Sequence, residues 1–370
     1  MRSSLRKIVE SYKEGASLAE ACAPPAAWYT DPRIFELEQR TVFCRSWQTV
    51  GRVDQVRERG QYITAEITGE PILVVRGGDN VLRGFFNVCR HKGAAIMTER
   101  EGRTQNLRCP YHGWTYSLEG ELKGTPDFAG VRNFDPSANG LIPCQTALWQ
   151  NWLFVKVETH GPSLERFLGA DLTGRIHKSG IENLHWLERR SYTLNCNWKV
   201  FVDNYLDGGY HVPHLHRGLN SVLDYSQYTI ETGERFCLQS SPIVNDRGDS
   251  DTAAVRRGDR ALYFWIYPNF MINSYEGAMD TNLVIPRGID RTEVIFDFYF
   301  ETISEHAREQ NLASIAVSER IQAEDVAICE SVKRGLASRA YKPGRLSVRR
   351  EAGEHLFHKL LYADLKAGME

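Results

Sequence analysis

The chain has 370 residues, of which 42% are hydrophobic and 25% are charged, and its net charge at pH 7 is −2. This length allows two domains, and the composition is ordinary for a globular protein. The nearly neutral charge gives no reason to expect a nucleic acid or an anionic membrane as a partner, and the longest apolar runs are too short to span a bilayer.

The first forty residues (1–40) are predicted to form a helical segment that packs on the C-terminal domain. Residues 1–15 are basic and polar, which indicates a short surface helix and lacks the apolar core of a signal peptide. With neither a signal peptide nor a transmembrane segment in the sequence, we expect a cytoplasmic protein.

Short strand-like runs fill residues 41–160. Three of them are Gln61–Ile67, Pro71–Arg76 and Trp152–Val157, and glycine, asparagine and aspartate separate the runs. The stretch Gly77–Asn80 has the composition of a hairpin turn. This pattern predicts a small antiparallel β domain.

Two loops of this β domain carry one cysteine and one histidine each. Cys89 and His91 form the first pair, and Cys109 and His112 form the second, seventeen residues later. Two thiolates and two imidazoles are the ligands of a Rieske [2Fe–2S] cluster, whose potential lies at roughly −150 to +300 mV. Structural zinc is the competing interpretation. Zinc fingers usually pair like ligands, however, whereas each loop here mixes them, so the motif predicts a Rieske cluster.

Residues 161–370 are predicted to form a second domain, after a boundary near His160–Ser163. Its sequence pattern is mixed, with strand-like runs at Tyr263–Ile266 and Val294–Glu301 and a predicted long helix over Ala313–Leu336. The expected fold class is therefore α+β.

Three histidines, His211, His214 and His216, lie within six residues and close to two aspartates. On a helix, Asp203, Asp207 and His211 would share one face. The proline between His211 and His214 would then break this helix, which lets His216 turn back toward His211. A pair of His211 and His214 at helical spacing is the alternative. Either pair needs a third ligand.

Asp325 is the candidate for this third ligand. In the predicted helix it lies on an apolar stripe with Ile321, Ile328, Val332 and Leu336. A carboxylate there is costly unless it is paired with a buried arginine or binds a metal. Two histidines and one carboxylate are the facial triad of non-haem Fe(II) oxygenases. The sequence thus predicts a mononuclear iron in addition to the cluster.

The two metal motifs, together with Asn197-Trp-Lys and Asp203-Asn-Tyr, resemble the oxygenase (α) subunit of Rieske non-haem iron oxygenases. Within this family, the chain is most similar to the choline monooxygenase type, which oxidises quaternary ammonium compounds. This closer similarity lies in Tyr29-Thr-Asp-Pro, Tyr267-Pro-Asn-Phe and Glu324-Asp-Val-Ala.

The resemblance implies an antiparallel β Rieske domain inserted before a helix-grip catalytic domain, which is an antiparallel sheet with helices. It also implies a head-to-tail homotrimer, in which a carboxylate connects a cluster histidine, here His112, to the iron of the next subunit. Many members have this aspartate three residues before the first iron histidine, where this chain has Gly208. We assign the inter-subunit electron bridge to Asp207, with Asp203 in reserve. The presence of a β subunit stays open.

The resemblance further implies an O2-dependent monooxygenase. Its electrons come from a separate ferredoxin or flavin reductase, and indirectly from NAD(P)H, because the sequence contains no nucleotide-binding motif. The expected reaction hydroxylates choline to betaine aldehyde hydrate, or acts on a betaine or carnitine-like compound. An aromatic-ring hydroxylase or an O- or N-demethylase is the alternative. A Rieske electron carrier is the rival from another class, but it would not need the second metal site.

A quaternary ammonium substrate needs an aromatic box, because cation–π attraction requires no hydrogen-bond donor. Tyr263 and Phe264 are candidates, although alternate residues of one strand face opposite sides. The predicted pocket residues are Tyr205, Trp265, Tyr267, Phe270 and Tyr275.

Overall fold

The structure is a computed structural model that describes residues 2–244 and 250–369. The chain divides into two compact units. Phe43–Phe167 form the smaller unit, and the segments before and after it form the larger unit. The smaller unit thus begins at 43 and ends at 167, whereas the predicted β domain spans 41–160.

The smaller unit consists of antiparallel strands. Seven of them form a sheet in the order β1-β10-β9-β4-β3-β2-β5, and β6-β7-β8 form a small second sheet. The short helix α4 (Leu164–Leu168) follows the last strand. The strands are β1 Gln48–Arg52, β2 Gln61–Ile67, β3 Glu70–Arg76, β4 Leu82–Phe86, β5 Glu101–Arg103, β6 Leu107–Arg108, β7 Thr115–Tyr116, β8 Leu122–Gly124, β9 Pro143–Trp149 and β10 Trp152–Lys156.

Strand β3 explains why this sheet is buried on both faces. Its side chains alternate between two hydrophobic clusters, with Ile72 and Val74 in one and Leu73 and Val75 in the other. The second of these clusters also contains the two cysteines of the predicted Rieske motif. The loops that carry them are therefore packed on the core of the β domain.

The larger unit combines one antiparallel sheet, in the order β11-β17-β16-β15-β14-β13-β12, with helices. Consecutive strands from β12 to β17 are neighbours in this meander, and the first strand, β11, pairs with the last. Its strands are β11 His185–Leu194, β12 Thr229–Thr232, β13 Phe236–Pro242, β14 Arg260–Ile266, β15 Phe270–Tyr275, β16 Ala278–Gly288 and β17 Arg291–Phe300. Its helices are α1 Arg2–Glu10, α2 Ala27–Thr30, α3 Pro32–Glu38, α5 Ala170–Lys178, α6 Trp198–Leu206, α7 Val212–Leu215, α8 Arg217–Val222, α9 Ser250–Val255, α10 Glu305–Leu336 and α11 Ala352–Ala367.

The long helix α10 ends at Leu336 as predicted but begins at Glu305, eight residues before the predicted start at 313. The predicted apolar stripe is only partly correct, because Ile328 and Val332 are 38% and 44% exposed in the isolated chain. Among the described residues, no helix is both long enough and apolar enough to cross a membrane.

The N-terminal segment packs on α6 and α11 within the larger unit. The carboxylate of Glu38 lies 2.5 Å from the ammonium of Lys199 and accepts a hydrogen bond of 2.8 Å from the indole of Trp198. The side chains of Glu38 and Lys199 are at most 1% exposed. The indole of Trp28 stacks on Tyr362 of α11. These contacts fix the start of α6, which leads into the predicted iron site.

Candidate metal centres and substrate cavity

The two cysteine–histidine loops have the same backbone geometry. In each loop, the cysteine amide donates to the carbonyl five residues later, and the amide four residues later donates back to the cysteine carbonyl, at 2.8–3.1 Å. The residue at this fourth position is Gly93 in one loop and Gly113 in the other, with φ of +77° and +73°. Glycine adopts this left-handed conformation without steric cost. The sequence therefore folds both ligand pairs into equivalent turns.

The turns bring the predicted cluster ligands together. The rings of His91 and His112 are 4.7 Å apart between centroids, and His91 stacks on Trp114 at 4.8 Å. Burial and the neighbouring His112 lower the pKa of His91, which favours the neutral imidazole that binds iron. Burial and the neighbouring Cys89 raise the pKa of the Cys109 thiol, so a thiolate there needs a metal partner.

The structure also tests the zinc interpretation. A single zinc ion would hold its ligand atoms at about 2.0–2.3 Å, and therefore within about 4.6 Å of one another. Among the described residues, two groups of three or more candidate ligands lie within 4.8 Å, and neither contains a residue of this motif. The Nδ1 atom of His91 is buried and has no hydrogen-bond partner among the described atoms. Both observations fit a two-iron cluster better than one zinc ion.

Tyr116 is a contact of the cluster loops that the sequence analysis missed. Its hydroxyl lies 3.4 Å from Sγ of Cys89 and accepts a hydrogen bond of 3.0 Å from the amide of Arg90. Because that amide is the donor, the hydroxyl hydrogen is free to point at the sulfur. Hydrogen bonds to cluster sulfurs influence the reduction potential. A hydroxyl on the strand after the second loop was the available signal.

The predicted helix through His211 is wrong. Helix α6 ends at Leu206, and Gly208 and Gly209 follow in the left-handed region with φ of +68° and +67°. A Cβ atom on Gly208 would lie 2.0 Å from the carbonyl oxygen of Arg350. The two glycines, rather than the later proline, therefore turn the chain and bring His211 toward α10.

Three predicted iron ligands converge at this turn. Oδ1 of Asp325 lies 3.2 Å from Nε2 of His216 and 4.0 Å from Nε2 of His211, and the three ligand atoms form one group within 4.8 Å. His214 is exposed and lies outside this group. The side-chain amide of Asn204 donates to Oδ1 of Asp325 at 2.8 Å. The group of potential ligands is thus two histidines and one carboxylate, drawn from two distant segments.

A second carboxylate orients each histidine. Nδ1 of His211 lies 2.6 Å from Asp207, and Nδ1 of His216 lies 2.6 Å from Glu324. Both Nε2 atoms are therefore left to face Asp325, as in carboxylate–histidine–metal arrangements. Burial works against a charge on His216, but Asp325 and Glu324 outweigh it and raise the pKa. A site that favours positive charge and offers nitrogen and oxygen ligands fits a mononuclear iron.

Asp203, the reserve for the electron bridge, lies in a different cluster. Its carboxylate accepts a hydrogen bond of 2.7 Å from the hydroxyl of Tyr29 and lies 2.9 Å from Nε2 of His358. Together with Glu354 and His358 it forms the second group of potential ligands. Of these two aspartates, Asp207 is therefore the one that contacts His211.

A cavity of about 100 Å³ adjoins the three iron ligands. Tyr205 and Tyr275 line it as predicted, whereas Trp265, Tyr267 and Phe270 do not. These three are buried elsewhere in the unit. The cavity lining also includes Phe201, Tyr228, Gln239, Arg256, Tyr263, Asn273, Asp280, Asn282, Phe296, Ser318 and Gln322.

Strand geometry explains why Trp265, Tyr267 and Phe270 do not line the cavity. Trp265 lies two residues beyond the cavity-lining Tyr263 on the same strand and contacts Phe357 of α11, at 5.5 Å between ring centroids. Tyr267 follows that strand and donates a hydrogen bond of 2.6 Å to Asp364. Phe270 differs in parity from Asn273 and Tyr275 of its strand, so it faces the other side of the sheet.

The chain matches two families that agree with these sites. Residues 181–366 match the catalytic domain of the ring hydroxylating α subunit, and residues 46–135 match the Rieske [2Fe-2S] domain. The chain belongs to the Rieske oxygenase α-subunit family. The predicted fold class, the enzyme class and the two iron cofactors are confirmed by this membership.

Three relatives of this Rieske oxygenase illustrate the similarity. The chloroplastic choline monooxygenase of Arabidopsis thaliana is 39% identical over 98% of this chain and 88% of the relative. The carnitine monooxygenase oxygenase subunit of Escherichia coli K12 is 32% identical over 94% of both chains. A solved quaternary ammonium Rieske monooxygenase superposes with a TM-score of 0.84, at 27% identity, over 95% of this chain and 98% of that one.

Proposed function

We propose that this Rieske oxygenase hydroxylates a small quaternary ammonium compound, namely choline or a betaine or carnitine-like molecule. The observation that carries the proposal is the ring of tyrosines around the cavity beside the iron ligands: Tyr205, Tyr228, Tyr263 and Tyr275. Burial raises the pKa of each hydroxyl, so the rings remain neutral. Neutral aromatic faces attract a methylated ammonium without hydrogen bonds.

The relatives support this substrate class. The Arabidopsis and Escherichia coli proteins are a choline monooxygenase and a carnitine monooxygenase subunit, and the solved relative is a quaternary ammonium monooxygenase. All three cover nearly the whole chain, including both metal sites. The similarity therefore extends to the segment that lines the cavity.

We assign the cluster to Cys89, His91, Cys109 and His112. The mononuclear iron is assigned in the same way to His211, His216 and Asp325. When bound, the two centres supply one-electron transfer and activation of O2. Asp207 and Glu324, at Nδ1 of His211 and His216, leave both Nε2 atoms of these histidines free for the iron. The adjoining cavity would place a substrate beside these ligands.

We propose that Asp207 joins two subunits of a homotrimer. Asp207 lies 2.6 Å from Nδ1 of His211. The structure of the solved relative gave insights into inter-subunit electron transfer in that protein. His112 is exposed, as is the neighbouring Tyr111 at 62%. Tyr210, beside His211, is 49% exposed. An exposed cluster histidine in one subunit is thereby available to a carboxylate in the next.

The proposed domains are the N-terminal segment 1–40, the Rieske domain 41–160 and the catalytic domain 161–370. Electrons are proposed to come from NAD(P)H through a separate ferredoxin or flavin reductase. This proposal is supported by the relatives, one of which is named an oxygenase subunit.

Substrate-dependent O2 consumption, measured with a reductase, tests the function. Choline, carnitine and γ-butyrobetaine form one panel, and benzoate and naphthalene form the other. We expect hydroxylated product in step with O2 consumption for at least one quaternary ammonium compound. Coupled turnover of an aromatic compound alone would establish the aromatic-ring alternative instead.

Mixed trimers test the inter-subunit bridge. A subunit with Cys109→Ala lacks the cluster, and a subunit with His211→Ala lacks the mononuclear iron. In mixed trimers some intact clusters face intact iron sites, so activity should reappear. Verified mixed trimers without activity would contradict transfer between subunits.

A further inference from the structure

We propose that Asp280 supplies the negative charge that binds the ammonium group of the substrate. This inference rests on the proposed function and adds a residue that selects the charge of the substrate. Asp280 lies on β16 and is 5% exposed. It lines the cavity beside the proposed iron ligands. A buried carboxylate is costly unless hydrogen bonds and a positive charge compensate it.

Two side-chain amides of the protein donate to one oxygen of this carboxylate. Oδ1 of Asp280 accepts from the side-chain amides of Asn273 at 2.8 Å and Asn282 at 3.0 Å. The hydroxyl of Tyr205 in turn donates to Oδ1 of Asn273 at 2.8 Å, which orients that amide. A tyrosine of the cavity and the carboxylate therefore belong to one network.

This arrangement suits a quaternary ammonium group in particular. A primary ammonium donates hydrogen bonds to a carboxylate, whereas a trimethylammonium group has no hydrogen to donate. A carboxylate that receives its hydrogen bonds from Asn273 and Asn282 can act on such a substrate through charge alone. Asp280 and the neutral tyrosines then offer complementary attraction to the same group.

The single arginine of the cavity lining does not take this role away from Asp280. Arg256 is 2% exposed, and its guanidinium is turned to α10, where it donates to Ser314 at 2.8 Å and Ser318 at 2.7 Å. It also lies over the ring of Tyr275, at 4.6 Å from the centroid. Burial raises the pKa of Asp280, and the positive charge of Arg256 opposes this rise.

The remaining carboxylate of the cavity lining belongs to the iron site. Asp325 faces His211 and His216, so its charge is committed to the metal. Among the described lining residues, Asp280 is therefore the carboxylate available to a substrate cation.

The experiment compares choline with its uncharged isostere 3,3-dimethylbutan-1-ol. Binding of both compounds to the holoenzyme is measured by calorimetry for the wild type and for Asp280→Asn. We expect wild type to bind choline more tightly than the isostere, and Asp280→Asn to weaken choline binding by roughly tenfold or more while leaving isostere binding unchanged. Asp280→Glu should retain part of the preference, because it keeps the charge.

Asp297→Asn is the matched control. Asp297 is an aspartate of the neighbouring strand β17, pairs with Arg189 at 2.6 Å, and is absent from the cavity lining. Its variant should keep the preference for choline. Iron content and cluster absorbance check that each variant is folded and loaded.

The outcomes separate the two proposals. An equal affinity of wild type for choline and the isostere would overturn the role of Asp280, and so would an unchanged preference in a folded Asp280→Asn. If Asp280→Asn does not fold, the wild-type comparison and Asp280→Glu still decide. Wild-type enzyme that binds and oxidises no quaternary ammonium compound would instead refute the proposed function itself.

Discussion

The two metal centres of this chain are built in different ways. The proposed cluster ligands come from two short loops with the same turn, and each loop carries its own cysteine, histidine and glycine. The proposed iron ligands come from residues 211–216 and from Asp325, more than a hundred positions apart. The first centre depends on local backbone geometry, and the second depends on how α6, α10 and their carboxylates pack. The two centres should therefore respond to different mutations.

Removing one ligand from each centre should have the largest effect. Asp325→Ala should abolish turnover and remove the mononuclear iron, yet keep the visible absorbance of the cluster, because only the long-range site loses a ligand. Cys109→Ala should also abolish turnover, but it should lose the visible absorbance of the cluster and keep the mononuclear iron. Iron analysis and visible spectra measure both. Full iron content with retained turnover in Asp325→Ala would remove Asp325 from the ligand set.

The two carboxylates at Nδ1 of His211 and His216 allow electron transfer to be separated from iron binding. Asp207→Asn and Glu324→Gln each remove a charge 2.6 Å from a histidine Nδ1, so each should lower iron affinity or activity by about 10–100-fold. Asp207→Asn should lose more steady turnover than Glu324→Gln, because only Asp207 is proposed to contact His112 of the partner subunit.

The comparison is made at full iron occupancy, with stopped-flow reoxidation of the reduced cluster as the readout. Reoxidation should slow in Asp207→Asn and stay close to wild type in Glu324→Gln. Equal rates in the two variants would leave Asp207 with an orienting role only.

The buried pair that anchors α6 tests the dependence of the iron site on packing. Glu38→Gln leaves the ammonium of Lys199 buried without its partner and should lower the free energy of unfolding by about 3–5 kcal/mol. Denaturant unfolding, followed by circular dichroism, measures the loss. Glu121→Gln is the control in the cluster-bearing unit, because its pair with Lys123 is exposed; it should change little. An unchanged free energy of unfolding in Glu38→Gln would show that the pair of Glu38 and Lys199 does not stabilise the fold.

The smallest expected effect is a pH dependence at Glu354. Burial, followed by Asp203, raises the pKa of this carboxyl well above its ordinary value of 4.5. From pH 4.5 upward to the raised pKa, the folded protein keeps a proton that the unfolded chain has lost, so stability falls as pH rises. Glu354→Gln should flatten this fall in melting temperature. An unchanged slope would show that Glu354 is ionised in the folded protein.

The same contrast between local and long-range structure decides what the sequence could predict. The Rieske cluster, strand β2 and the end of α10 could be predicted from local patterns. His211, His216 and Asp325 were proposed as ligands from residue type, the helical stripe, the proline break and the family resemblance, and the structure brings their ligand atoms within 4.8 Å of one another. The predicted helix through His211 is wrong because the pair Gly208-Gly209 ends the helix, a signal that the sequence itself contains.

Other features had no signal along the chain. The pairing of Glu324 with His216 depends on how α10 lies against the loop after α6, and the place of Asp280 depends on the register of β16. Trp265 and Phe270 looked like pocket residues because aromatic composition alone does not tell which end or face of a strand meets the cavity.

Gly208 also limits where the turn after α6 can carry a carboxylate. Its left-handed φ and the nearby Arg350 carbonyl exclude a side chain at that position. A carboxylate one residue later would therefore need a different path of the backbone at Arg350. With the backbone as it is, Asp207 is the position at which this turn can hold a carboxylate against Nδ1 of His211.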